Sequence, residues 1–194
     1  MKKLVALLIV SLMATAAFAV HDDGTDSFGI YFNATNDNNC LAGAGLYQPF
    51  PVFLVLMNPA SATNGFECTV TPSGSATNFA LSTTLAGTGA LDVDASANGF
   101  AVGAAANYPV AAGGCTLVTW SYMLTGPGDL SFKIGPATVP SLSGGLPVVT
   151  GDGVLRRCGV ASGSVLLPVA TVNNANCVVA NETSTFGNVK SLFR

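Results

Sequence analysis

The sequence predicts an all-β fold, a single antiparallel β-sandwich of about nine strands. Three features point there. Short alternating or wholly apolar runs recur along the 194 residues, Gly, Pro, Asn and Ser turns bound them, and the body of the chain sustains no helical period. It also lacks the fixed-period repeat that builds solenoids or propellers.

The chain opens on "MKKLVALLIVSLMATAAFAV". Lys2 and Lys3 precede an apolar run from Leu4 to Met13, and Ala17-Phe18-Ala19 supplies small residues at a cleavage site. Residues 1–19 therefore read as a signal peptide cut after Ala19, which makes the mature protein secreted, periplasmic or displayed on the cell surface. The run is too short to span a bilayer comfortably. The first cysteine is Cys40, so no lipid-anchored start is expected. Residues 20–26 form a flexible N-terminus, 27–180 the sandwich and 181–194 a C-terminal tail.

Within the sandwich the strands follow in order. "SFGIYFN" places Phe28, Ile30 and Phe32 on one face, and "PVFLVLMNP" is apolar on both, as a central strand must be. "GFECTVT" turns Phe66, Cys68 and Val70 inward and Glu67, Thr69 and Thr71 outward. "TLVTWSYML" groups Val118, Trp120, Tyr122 and Leu124, and "DLSFKIG" groups Leu130, Phe132 and Ile134. Weaker strand signals lie at Phe79 to Leu81, Phe100 to Val102, Pro147 to Val149 and Val165 to Val172. In the tail, Ser184 can cap a short helix with Phe186, Val189 and Leu192 or Phe193 on one side. That helix would fold back on the sheet; the alternative is a recognition tail for export or assembly.

Charge narrows the partners. Seven Lys+Arg stand against ten Asp+Glu, and removal of Lys2 and Lys3 with the signal leaves five against ten, a net −5. Arg156-Arg157 is the one basic pair of the mature chain. Nucleic acid and anionic membrane, which need clustered cations, are not expected as partners. No later segment is long enough for a transmembrane helix. Charged residues make up 9% of the chain, against roughly 25% in average proteins. Ser, Thr, Asn and Gly supply its polarity instead.

Catalytic constellations are scarce. His21, the sole histidine, would be the second residue of the mature chain, where backbones fray. A catalytic histidine must be held by a second group beside its nucleophile, so Ser-His-Asp and Cys-His chemistry is not expected. Of the two glutamates, Glu67 faces outward and Glu182 lies in the tail. Glycoside hydrolysis needs two carboxyls across a cleft, and a pairing of Glu67 with Asp92 or Asp94 is a conjecture. "LDVDASANG" sets Asp92, Asp94, Ser96 and Asn98 at alternate positions, as in a calcium loop. Ala97 and Gly103 stand where that loop requires glycine and a bidentate glutamate. Asp92 and Asp94 are therefore weak calcium ligands at most, and no cofactor is expected. Asp22, Asp23 and Asp26 form a second acidic group without a defined spacing.

Sugar recognition by a sandwich favours exposed aromatic platforms. Trp120 alternates into the core, which leaves Tyr31 opposite its apolar neighbours and Tyr47 and Tyr108 in loops. Five cysteines in an exported chain imply disulfides with one thiol over. Cys158 and Cys177 flank a terminal hairpin, and a bridge between them would contribute about 3 kcal/mol. Cys40 and Cys115 can reach each other or Cys68. Cys68, alternating with Phe66 and Val70, is the expected buried free thiol.

Two stretches together, "YFNATNDNNC" and "VFLVLMNPASATNGFECTV", resemble the opening strands of secreted bacterial cohesin-like sandwiches. "LVTWSYML" followed by "LSFKIGPATVPSL" fits later strands of the same plan, over roughly Ser27 to Gly153. The ending "TSTFGNVKSLFR" is similar to a terminus of exported bacterial proteins. The resemblance implies a jelly-roll sandwich that binds partner proteins or supports surface assemblies without catalysis. It carries over no partner-contacting residue. The expected function is thus a non-catalytic exported sandwich in cell-surface or extracellular assembly. The alternatives are a monomeric glycan- or protein-binding module and an exported hydrolase.

Overall fold

The structure, a computed structural model, describes Asp22 and residues 24–175. The expected signal, His21, Asp23, Cys177 and the tail from residue 181 lie outside the described residues. Thirteen strands follow in order: β1 (Ser27–Tyr31), β2 (Cys40–Leu41), β3 (Pro49–Met57), β4 (Gly65–Gly74), β5 (Asn78–Leu85), β6 (Leu91–Asp92), β7 (Gly99–Gly103), β8 (Gly114–Leu124), β9 (Leu130–Gly135), β10 (Val148–Gly151), β11 (Val154–Arg157), β12 (Gly159–Val160) and β13 (Ala170–Val172). There is no helix among the described residues. The count exceeds nine because β2, β6 and β12 are two residues long and β11 is four, too short for alternation to register in sequence.

The strands form two sheets. One has five strands in the order β12-β1-β3-β8-β5. The other has eight, following β11-β10-β4-β9-β13-β2, with the β6-β7 pair attached to β4. In β4, Gly65 pairs with both Thr150 and Gly103, and Thr69 with both Gly99 and Gly135. Hence β10 and β9 share one edge of β4, and β7 takes the other. The sandwich is mostly antiparallel, but β1 pairs with β12, and β13 with β2, in parallel. Strands adjacent in space but remote in sequence have no turn to impose a direction on them.

Proline placement follows this pairing. Pro49 and Pro51 lie in β3, a central strand, yet β1 reaches β3 only from Phe53 to Met57. The prolines therefore sit where one edge of β3 is open and a missing N–H breaks no ladder. Pro72 does the same in β4, beyond the reach of β7.

The core lies between the sheets and is stitched by aromatic rings. Phe28 meets Phe66 at 6.4 Å, Trp120 meets Phe100 at 5.7 Å edge-on, and Tyr122 meets Phe132 at 5.2 Å edge-on. Each contact joins the two sheets, and the Trp120–Phe100 and Tyr122–Phe132 pairs place a ring edge on a ring face. The inward residues are those that alternation assigned in β1, β4, β8 and β9. A bulge displaces the β3–β8 register after Leu54, so Leu117 and Val118 both turn into the core.

Three expectations are corrected. Tyr31 is 2% exposed: it packs against Val55 and Met57 on the outer side of the five-stranded sheet. Gly29, two residues before it, makes room, since a Cβ there would lie 2.6 Å from the Tyr31 ring. Tyr108 is buried as well, in the main core. The strand signal at Val165 to Val172 shrinks to Ala170–Val172, because Ser162 Oγ donates to the carbonyls of Ser164 and Leu167 and curls that stretch.

Candidate binding face

The five-stranded sheet has a simple property that its residues spell out. Its strands, SFGIY, PFPVFLVLM, NFALSTTL, GCTLVTWSYML and GV, contain no charged side chain. The eight-stranded sheet carries Glu67, Asp92, Lys133, Arg156 and Arg157 on its strands.

On the outer side of the uncharged sheet the pairing sets residues in rows. Pro49, Met123 and Phe79 form one row, Pro51, Ser121 and Ser82 the next, and Phe53, Thr119 and Thr84 the third. Small hydroxyl residues on β8 and β5 thus lie beside bulkier ones on β3. The result is a groove of about 300 Å³ walled by Pro49 and Pro51 and floored by Ser82, Thr84, Thr119 and Ser121. None of these four hydroxyls has a hydrogen-bond partner among the described residues. Phe79 is 58% exposed one row beyond, and Tyr47 is 64% exposed in the loop leading to β3. Tyr47 is the one loop tyrosine that stays open as expected.

The edge beside this groove is also open. Among the described residues, β5 runs eight residues, has β8 as its only neighbour and bears no charge or proline. The other sheet margins are short: β12, β2 and β6 have two residues each, and β11 has four with Arg156 and Arg157. Short or charged margins resist edge-to-edge pairing, and β5 has neither protection beyond a bulge at Leu81.

The residues singled out from sequence do not converge. Glu67 pairs with the outward Ala101, and its carboxylate accepts from Ser141 N and Ser141 Oγ, both at 2.7 Å. Asp92 pairs with the buried Val102, so it points to the opposite face of the same sheet. Asp92 Oδ1 accepts from the backbone N–H groups of Asp94 and Ala101 at 3.0 and 2.9 Å. Asp94 Oδ1 accepts from Ser96 N at 2.8 Å, and this bond holds its carboxyl below the usual range. The loop that resembles a calcium site by spacing is thus organised by carboxylates folded onto their own backbone. Asp26, from the N-terminal acidic group, is held by Arg156.

Apart from Cys68, a buried free thiol as expected, the cysteine pairing differs from expectation. Cys68, Cys115 and Cys158 are buried free thiols, so neither the Cys158–Cys177 nor the Cys40–Cys115 bridge is formed. Cys40 is disulfide-bonded, and none of these three is its partner. The reason is direction. Cys158 and Cys115 both point into the core, and Cys115 Sγ donates to the Tyr108 carbonyl at 3.8 Å. Nor can Cys68 and Cys158 join. Val148 pairs with Glu67 and with Arg157, which places Pro147 between the two cysteines. Two strand spacings, roughly 9–10 Å, exceed the span of a disulfide. Burial pushes the Cys158 thiol up to about 12 and raises those of Cys68 and Cys115.

Sequence reasoning missed the groove and the open edge. Thr119 and Ser121 were visible as the outward positions of "TLVTWSYML", but the register that sets them beside Ser82 and Thr84 is a tertiary fact.

No family of known proteins matches the chain by sequence, and no curated protein does. Among solved structures, the chain is similar to a cohesin module from the family 33 glycoside hydrolase of Clostridium perfringens ATCC13124. The two share 12% identity and a TM-score of 0.45, over 70% of this chain and 90% of the other.

Proposed function

We propose that this chain is a non-catalytic, exported β-sandwich that works in assembly at the cell exterior, with itself or with a like partner, through the free edge of β5. The observation that carries the reading is the contrast between margins. An eight-residue, uncharged, proline-free edge strand stands in a sheet whose other margin is two residues long. An unpaired row of N–H and C=O groups is a template for a further strand, and such pairing gains backbone hydrogen bonds without requiring charge. Thr83 lies at the middle of this edge and is exposed. The separation of Glu67 and Asp92 onto opposite faces supports the non-catalytic part of the reading, since paired carboxylate chemistry needs them to converge.

Light scattering on the chain recovered from the exported fraction, without reductant and over a concentration series, tests this. The mass should rise with concentration, and Thr83→Lys should hold it at the monomer, because a charge at the middle of an edge strand opposes pairing. A mass independent of concentration in the unaltered chain would count against assembly.

A further inference from the structure

We infer that the groove between β3, β8 and β5 binds a neutral glycan strand, a role separate from pairing at the β5 edge. The groove opens on the sheet's face, whereas strand addition uses its margin, so the two surfaces can act together.

Four features select the ligand. First, the floor is polar but uncharged: Ser82, Thr84, Thr119 and Ser121 offer hydroxyls that each donate and accept, and among the described residues no protein group uses them. Their spacing, roughly 5 Å across the strands and 7 Å along them, is that of a sheet lattice. Second, the rim is apolar. Pro49 and Pro51 wall one side, and Met123 and exposed Phe79 share the row of Pro49. A sugar ring has the matching character, with hydroxyls at its edge and C–H groups on its faces, and carbohydrate sites pair these with hydroxyl and ring surfaces respectively.

Third, charge disfavours other ligands. No strand of this sheet carries an ionised group, so an acidic or basic ligand would lose water and gain no counter-charge. Fourth, shape disfavours a second copy at this place. The surface is concave, and a twofold-related groove would be concave too, leaving a void lined by unsatisfied hydroxyls. An extended glycan laid along β8 fills the depression. Its hydroxyls can exchange hydrogen bonds with those of Thr119 and Ser121.

Calorimetric titration of the exported chain with cellohexaose, chitohexaose, xylohexaose, maltohexaose and mannohexaose tests the inference. At least one should bind with a Kd below about 1 mM. Thr119→Val, which keeps the volume and removes the hydroxyl, should weaken it about fivefold, the loss of one neutral hydrogen bond. Ser82→Ala, on the exposed margin where folding is not at stake, should act likewise, and Phe79→Ala should weaken binding through loss of stacking. Affinity should be unchanged between low salt and about 0.5 M salt, since no ion pair is involved. The series repeated on Thr83→Lys separates this inference from self-association: glycan binding should persist in that variant. Failure of all five sugars to bind at millimolar concentration overturns the proposal. So does binding that survives Thr119→Val and Ser82→Ala together, or capture of a peptide at the groove in place of sugar.

Discussion

Arg156 Nε donates to Asp26 Oδ2 at 2.8 Å, across a sequence separation of 130 residues. The same guanidinium reaches Ser61 Oγ at 2.8 Å and Thr63 Oγ1 at 2.9 Å, and the Asp26 carboxylate also accepts from Ala60 N at 3.0 Å. One side chain on β11 therefore ties together the entry to β1 and the loop before β4. Its hydrogen bond to Asp26 raises the Arg156 proton affinity further, ahead of any effect of burial. Replacing Arg156 with Met should remove about 3 kcal/mol of stability, because it strands a nearly buried carboxylate. Chemical denaturation of the two proteins measures this, with an unchanged slope and a lower midpoint expected.

The three buried thiols predict a pH response. Cys158 is raised from about 9 to about 12 by burial, with the nearby Asp26 charge adding to it. In the unfolded chain that thiol ionises near its ordinary value, while in the folded chain it keeps its proton. The unfolded state therefore binds fewer protons between pH 9 and 12, and stability falls as pH rises through that window. From Cys158 alone the loss is about 2 kcal/mol at pH 10.5. Thermal unfolding followed from pH 7 to 11 should show Tm level below pH 9 and declining above it.

The same burial predicts silence toward thiol reagents. Native protein at pH 8 should leave Cys68, Cys115 and Cys158 unmodified by an alkylating agent, and all three should react once denaturant is added. Mass spectrometry before and after unfolding reads the difference. Modification of any of the three under native conditions would contradict the packing described here.

Close backbone approach makes Gly151 intolerant of a side chain. A Cβ at this end of β10 would lie 1.8 Å from the Ala62 carbonyl oxygen. Gly151→Ala should cost up to about 3 kcal/mol, in the range of overpacked cores. Gly153, with a positive φ of 76° and open space around it, sits two residues away as a control. Its alanine variant carries only the left-handed backbone penalty, about 1 kcal/mol.

Phe132 joins the sheets through Tyr122 and Phe32 and is fully buried. Phe132→Ala should lower stability by about 3–5 kcal/mol. Urea unfolding of that variant is the check.

Much of the sandwich was legible in the chain. Phe28, Ile30 and Phe32, or Leu130, Phe132 and Ile134, alternate because one face of each strand is buried, and that pattern survives in one dimension. The apolar outward residues of β3, Val55 and Met57, also betrayed a central strand. Tyr31 misled because alternation reports which face a residue takes, not whether that face is covered. The cysteines misled for a related reason. Loop length made Cys158 and Cys177 attractive, but a thiol's direction depends on the sheet it enters, and Cys158 enters facing the core. The groove was invisible because β5 and β8 are joined by a register with a bulge at Leu81, which no local pattern encodes.

The one-sided distribution of strand charge has a consequence for orientation. Among the described residues, all ionised strand residues ride on the eight-stranded sheet, so the two faces of the sandwich differ in how they couple to an external field. Near a charged wall or envelope, an asymmetric body of this kind experiences a torque as well as an attraction.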